Sequence, residues 1–185
     1  MKKILLLSLL LISGISYAQE KDEKSNSKAV EFLSKDGTFM KREFYDLPQI
    51  GMGQYKLESQ VLIMTDLTSG YKMGCLRLST FSNLGGSLEE YIGTLDRDEL
   101  DACIQCFELM QTDILTTKPE IYTETCYKTL DGVTIGCYYS NGIWTVFVRT
   151  KEYTTRSMTT ISTKNVPKLI DNLKQAKAMI ESKIE

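Results

Sequence analysis

Apolar and polar positions recur along this chain with two periods, and each change of period marks an element boundary. Between Tyr55 and Leu67, Leu57, Val61 and Ile63 alternate with Glu58, Gln60 and Leu62, which predicts a strand. Thr68-Ser69-Gly70 turns the chain, and Tyr71 to Phe81 returns as the antiparallel partner. The stretch SNLGGS, residues 82–87, reads as a loop by composition, and Glu89 to Leu95 as a short strand. Upstream, Val30, Phe32 and Leu33 fit a short helix or strand, Asp36-Gly37 a turn, and Thr38 to Tyr45 an extended segment.

At Asp96 the period lengthens. Leu100, Cys103, Ile104, Phe107, Met110 and Ile114 recur at helical spacing, with Asp96 as cap and Glu99 three residues later. This helix should end near Leu115, before Thr116, Thr117 and Pro119. Period two then returns in Ile121 to Thr129, Val133 to Ser140 and Ile143 to Thr150, joined at Asp131-Gly132 and Asn141-Gly142. Asn-Gly between alternating strands is a strong hairpin signal, because both residues tolerate positive φ. Ser157 to Ser162 adds another strand, and the stripe Val166, Leu169, Ile170, Leu173, Ala176, Ile180 and Ile184 predicts a terminal helix.

Strands followed by a helix thus occur twice, and two pentapeptides echo each other. YKMGC (71–75) and VTIGC (133–137) each follow a turn glycine, Gly70 and Gly132. Aligning Gly74 on Gly136 and allowing a four-residue insertion places Leu100 on Val166, Cys103 on Leu169, Ile104 on Ile170 and Phe107 on Leu173. The expectation is an α+β fold, a curved antiparallel sheet of seven to eight strands packed by two helices. It comprises two similar strand-strand-strand-helix halves, 38–115 and 119–185, with Cys75 and Cys137 on matching strands. A doubled arrangement of this kind resembles the Whirly type of single-strand nucleic-acid binder at the level of fold, and a fold does not carry function. The chain has no family-specific motif.

The first residues, MKKILLLSLLLISGISYAQE, change the picture of where this domain works. Two lysines, an apolar run from Ile4 to Ile12 and small residues up to Ala18 follow the order of a secretory signal peptide, residues 1–18. That run is shorter than the roughly 20 apolar residues a spanning helix needs. Without a cysteine before Cys75, a lipid-modified cysteine at the cleavage point is excluded. Residues 19–28, including EKDEKSNSK, read as a flexible leader, and 29–185 as one globular domain. The mature protein is expected to be soluble, periplasmic or secreted, and without a stable membrane span.

Removal of Lys2 and Lys3 with that segment leaves 20 basic against 24 acidic residues, a net charge of −4. Such a chain lacks the basic patch that nucleic acid requires. With no histidine at all, histidine-dependent triads, Cys-His dyads and His-ligated zinc are excluded.

Five cysteines remain as candidate chemistry. Cys103 and Cys106 form a CxxC, a candidate redox pair, yet Cys103 falls on the apolar stripe rather than at the helix N-terminus, where a thiol is activated. Cys106 should be the more exposed. Cys75 and Cys137, or Cys126 and Cys137, are candidate disulfide partners in an oxidising compartment, against the alternative of small buried core residues. Asp96, Asp98, Glu99 and Asp101 cluster at the helix start, but the glycine and terminal glutamate of an EF-hand are absent. First-turn carboxylates interact favourably with the helix dipole, so no metal or cofactor is assigned.

The second half is aromatic. Val133, Ile135, Cys137 and Tyr139 share one face and Tyr138 points to the other, while Trp144, Val146 and Val148 oppose Ile143 and Phe147. Both faces carry large apolar side chains, more than a half-exposed sheet needs. Tyr138, Trp144 and Tyr153 are therefore candidate ligand-surface residues. The expected function is a non-enzymatic binding or structural module for a protein or a small apolar ligand. A small-molecule or lipid carrier, or a thiol-active protein using Cys103 and Cys106, are the alternatives.

Overall fold

The computed structural model describes residues 25–84 and 86–185. The segment read as a signal peptide, and residues 19–24 of the leader, lie outside the described residues. In chain order the elements are α1 (Lys28–Leu33), β1 (Met40–Asp46), β2 (Leu57–Asp66), β3 (Lys72–Leu84), β4 (Ser87–Asp96), α2 (Leu100–Thr112), β5 (Thr123–Lys128), β6 (Thr134–Ser140), β7 (Ile143–Arg149), β8 (Met158–Ile161) and α3 (Val166–Ile184).

The single curved sheet expected from the sequence is two sheets. β1-β2-β3-β4 and β5-β6-β7-β8 are separate four-stranded antiparallel meanders. The division falls where the chain leaves β4 for the short 3-10 turn Arg97–Glu99 and α2, so β5 starts a new ladder instead of extending β4. α2 and α3 each follow four strands, where three were expected. Cys75 lies on β3, the third strand of its sheet, and Cys137 on β6, the second strand of the other. The alignment of Gly74 on Gly136 therefore does not put the two cysteines on matching strands.

Local chemistry explains most elements. Asn141 and Gly142 take φ of 51° and 80°, as the two-residue turn between β6 and β7 demands. α3 begins with Pro167 in its first turn, where a missing N–H costs nothing. The expected loop SNLGGS is instead largely ladder, with Ser82 paired to Glu89 and Leu84 to Ser87, because the β3–β4 pairing continues past Phe81.

One core holds the two sheets together. Leu57, Val61, Ile63, Leu76, Leu78 and Leu95 of the first sheet and Ile135, Cys137, Val146, Val148 and Ile161 of the second bury against the stripes of α2 and α3. Burying each such aliphatic side chain is worth roughly 1.5–3 kcal/mol. α3, although it follows the second sheet, lies on the first. Asn172 Nδ2 donates to Pro48 O (2.7 Å), and Lys183 Nζ sits 4.5 Å from the Tyr45 ring centroid. α2 runs beside α3, joined by Lys174–Glu108 and Lys177–Asp101 ion pairs. The sheets touch where Gly93 leaves room for Val133 and Thr150, and where the Thr80 and Thr150 hydroxyls meet at 2.7 Å. Among the described residues no helix is long and apolar enough to cross a membrane.

α1 covers the other face of the first sheet. Ala29 and Phe32 pack on Leu62, Met64 and Cys75 as a second, smaller core. Ser27, at the end of the stretch read as leader, is fully buried, and its side chain accepts from Val30 N–H to cap the helix.

Candidate functional site

All three helices are thus accounted for, on the core or on the first sheet. The outer face of the second sheet has none over it among the described residues. Strand parity puts Glu124, Cys126 and Lys128 of β5, Thr134, Gly136 and Tyr138 of β6, Thr145, Phe147 and Arg149 of β7 and Met158 and Thr160 of β8 on this face. Aromatic rings run across it. Tyr122 stacks on Tyr138 at 6.2 Å between centroids, and Tyr138 lies 6.0 Å from Phe147.

Phe147 is only 2 % exposed, although no helix among the described residues lies over it. Tyr138 and Arg149 are its neighbours on this face, with the guanidinium carbon of Arg149 5.8 Å from the ring centroid. The far end of that guanidinium points at Met158 Sδ (3.8 Å), while Arg149 Nε is buried and makes no hydrogen bond among the described residues. The face is aromatic and carries a cation, a combination suited to stacking and cation–π contacts.

Of the three aromatics singled out in the sequence, the structure places only Tyr138 there. Trp144 is on the inner face at the start of β7, packed on Tyr139 (5.3 Å), with Nε1 donating to Thr117 O (2.9 Å). It lines an open groove of about 520 Å³ with Tyr139, Ile143 and Gln111. Tyr153 lies beyond the other end of β7, highly exposed. Arg149 and Met158 were missed by sequence reasoning. Their signal is parity: counted back from the Asn141-Gly142 turn, Arg149 falls on the same face as Tyr138 and Phe147.

The cysteines do not converge. All five are free thiols. Cys103 is fully buried on α2, and desolvation pushes its thiol up to about 12, whereas Cys106 is exposed. Cys75 belongs to the small core under α1, its thiol also pushed up to about 12 by burial, and Cys137 belongs to the main core, so the two lie on different sheets and in different clusters.

The acidic cluster is occupied by structural work. Asp96, 3 % exposed, accepts from Ser27 Oγ (2.8 Å), Lys28 N–H (2.6 Å) and Ala29 N–H (3.1 Å), serving the N-terminus of α1. Glu99 accepts from Asp96 N–H (2.9 Å) and Leu130 N–H (2.7 Å), and desolvation raises its pKa. Asp98 pairs with Lys28, and Asp101 with Lys177, along an open cleft of about 390 Å³ in which cations and carboxylates neutralise one another. Among the described residues no group of three His, Cys, Asp or Glu side chains is placed to hold a metal ion.

No family model matches the chain, and no curated protein or solved structure is significantly similar to it.

Proposed function

We propose that this chain is an exported, non-enzymatic binding module that uses the outer face of its second sheet. The observation that carries this reading is the grouping of Tyr122, Tyr138 and Arg149 around the buried Phe147, on a sheet face that has no helix over it among the described residues. Export rests on the sequence of residues 1–18. The ligand class that suits the face is a protein segment or a small apolar molecule presenting a flat group, for which stacking on Tyr138 and the Arg149 cation are the two anchors. The buried, high-pKa thiol of Cys103 supports the non-enzymatic side, since the thiolate is the reactive form. The same reading treats the chain as two similar halves. Its support is the order of four strands, a 3-10 turn and a helix in each, with Leu100, Cys103, Ile104 and Phe107 buried in one helix and Val166, Leu169, Ile170 and Leu173 in the other.

The test is amide chemical-shift mapping during titration with a panel of aromatic and aliphatic peptides and short-chain fatty acids. Shifts clustered on residues 122–128, 134–138 and 145–149, and lost in Tyr138→Ala, are expected. Shifts centred on the Trp144 groove or the Lys28–Asp98 cleft, or none with any probe, would sink the proposal.

A further inference from the structure

We propose that two copies of this chain join edge to edge through β5, antiparallel, in a register centred on Cys126. β5 is the terminal strand of the second sheet. It pairs with β6 without a bulge from Thr123 opposite Tyr139 to Lys128 opposite Thr134, and Thr129 N–H donates to Val133 O (2.8 Å). Hydrogen-bonded and non-bonded pairs alternate along an antiparallel ladder. Thr123, Thr125 and Tyr127 therefore direct their backbone groups to β6, and Glu124, Cys126 and Lys128 direct theirs out of the sheet. Among the described residues no other strand pairs with this edge. A row of outward N–H and C=O groups is a template for a further strand.

The side chains on that edge complement themselves. A two-fold axis perpendicular to the sheet keeps inner face on inner face, so each residue meets one of its own parity. With the axis at Cys126, Glu124 faces Lys128 of the second copy, Lys128 faces Glu124, and Cys126 faces Cys126. Just beyond the strand ends, Tyr122 (60 % exposed) falls opposite Leu130 (46 % exposed). Opposite charges directly across a ladder attract and like charges repel. The next register of the same parity, centred on Thr125, sets Glu124 against Cys126 and leaves Lys128 facing Tyr122, without the ion pair. Lys128 already pairs with Glu152 in the single chain, so its ammonium would lie between two carboxylates. About six backbone hydrogen bonds would form, joining the two sheets into one. The two aromatic faces would then lie side by side on the same surface. A strand this short forms a small interface, of the weak and concentration-dependent class.

Sedimentation velocity over a concentration series, under reducing conditions, reads the association directly. Dimer at high concentration is expected, weakened at least tenfold by Glu124→Lys and by Lys128→Glu, each of which sets like charges opposite twice, and restored by the two together. Circular dichroism confirms that each variant is folded. A short bismaleimide should link two copies in Cys106→Ser, and fail to do so in the double variant Cys106→Ser, Cys126→Ser. A dimer indifferent to both charge reversals, or a Cys106→Ser dimer that no bismaleimide links, overturns the proposal. A protein that stays monomeric at every concentration also overturns it. That includes the case in which deleting residues 19–24, which precede Ser25 in the chain, then releases a dimer, because the chain's own leader would be the occupant of the edge; Ser25 Oγ itself donates to Leu130 O (3.4 Å).

Discussion

Gly74 and Gly136 occupy the same place in two look-alike pentapeptides, yet different atoms crowd them. A Cβ at Gly74 would meet the ends of two flexible side chains, Ile180 Cγ2 at 2.8 Å and Ile63 Cδ1 at 2.9 Å. At Gly136 it would run into the backbone of β5, against Thr125 O and Cys126 Cα (2.9 Å). Side chains can rotate away and a paired strand cannot. Gly136→Ala should therefore cost about 2–3 kcal/mol and Gly74→Ala about 1 kcal/mol, measured by urea denaturation. The sequence shows that both glycines interrupt a strand, but the atoms that exclude a side chain come from α3 and β2 in one case and β5 in the other. The thiols make a second prediction at this scale. Cys75 and Cys103 have folded-state values of about 12 against an ordinary 9.0. Above pH 9 the unfolded chain loses protons that the folded one keeps, so stability falls as pH rises from about 9 towards 12, by roughly 1.4 kcal/mol per pH unit for each thiol. Cys103→Ala should make the measured slope shallower by that one thiol's share, about 1.4 kcal/mol per pH unit, in denaturation curves taken between pH 8 and 11. At neutral pH, Cys106 and Cys126 should react with a thiol reagent at once, and Cys75, Cys103 and Cys137 only in denaturant.

At the scale of elements, α1 is the least legible from sequence. Six residues are too few to show a period, and its cap partner Asp96 is remote in the chain and looks like the cap of α2 alone. The long helices are plain because their stripes repeat over several turns, as are the hairpins at Asp131-Gly132 and Asn141-Gly142. α1 nevertheless closes the small core. Phe32→Ala should destabilise by about 3–4 kcal/mol. It should also speed labelling of Cys75, which α1 covers, without changing that of Cys103, which lies in the main core. Equal acceleration at both cysteines, followed by mass spectrometry, would show that α1 is not a separate cover.

At the scale of the whole molecule, the order of elements was readable and their assembly was not. Local pattern reports that β4 precedes a helix and β5 follows it, but not whether β4 and β5 pair, so one sheet was expected where two occur. The site was half legible for the same reason. Alternation shows that both faces of β6 and β7 are apolar, but which face has no described helix over it depends on α3 crossing to the first sheet, which only tertiary packing decides. That crossing, with the shared core, predicts a single cooperative transition in which fluorescence of Trp144 and far-ultraviolet circular dichroism change together. Two separated transitions would mean that the halves fold independently.

The β5–β6 turn carries a further consequence. Asp131 Oδ2 accepts from Thr94 N–H (2.8 Å) and Thr94 Oγ1 (3.1 Å), and Thr129 Oγ1 donates to Thr94 O (3.2 Å), beside the Glu99–Leu130 bond. With α3 lying on the first sheet, the peptide link between α2 and β5 carries little of the load. Cutting it at the exposed Glu120 with a glutamate-specific protease should yield two fragments that remain one particle and still refold together when mixed. The termini could equally be moved to that point, turning this stretch into the site for splitting or permuting the protein.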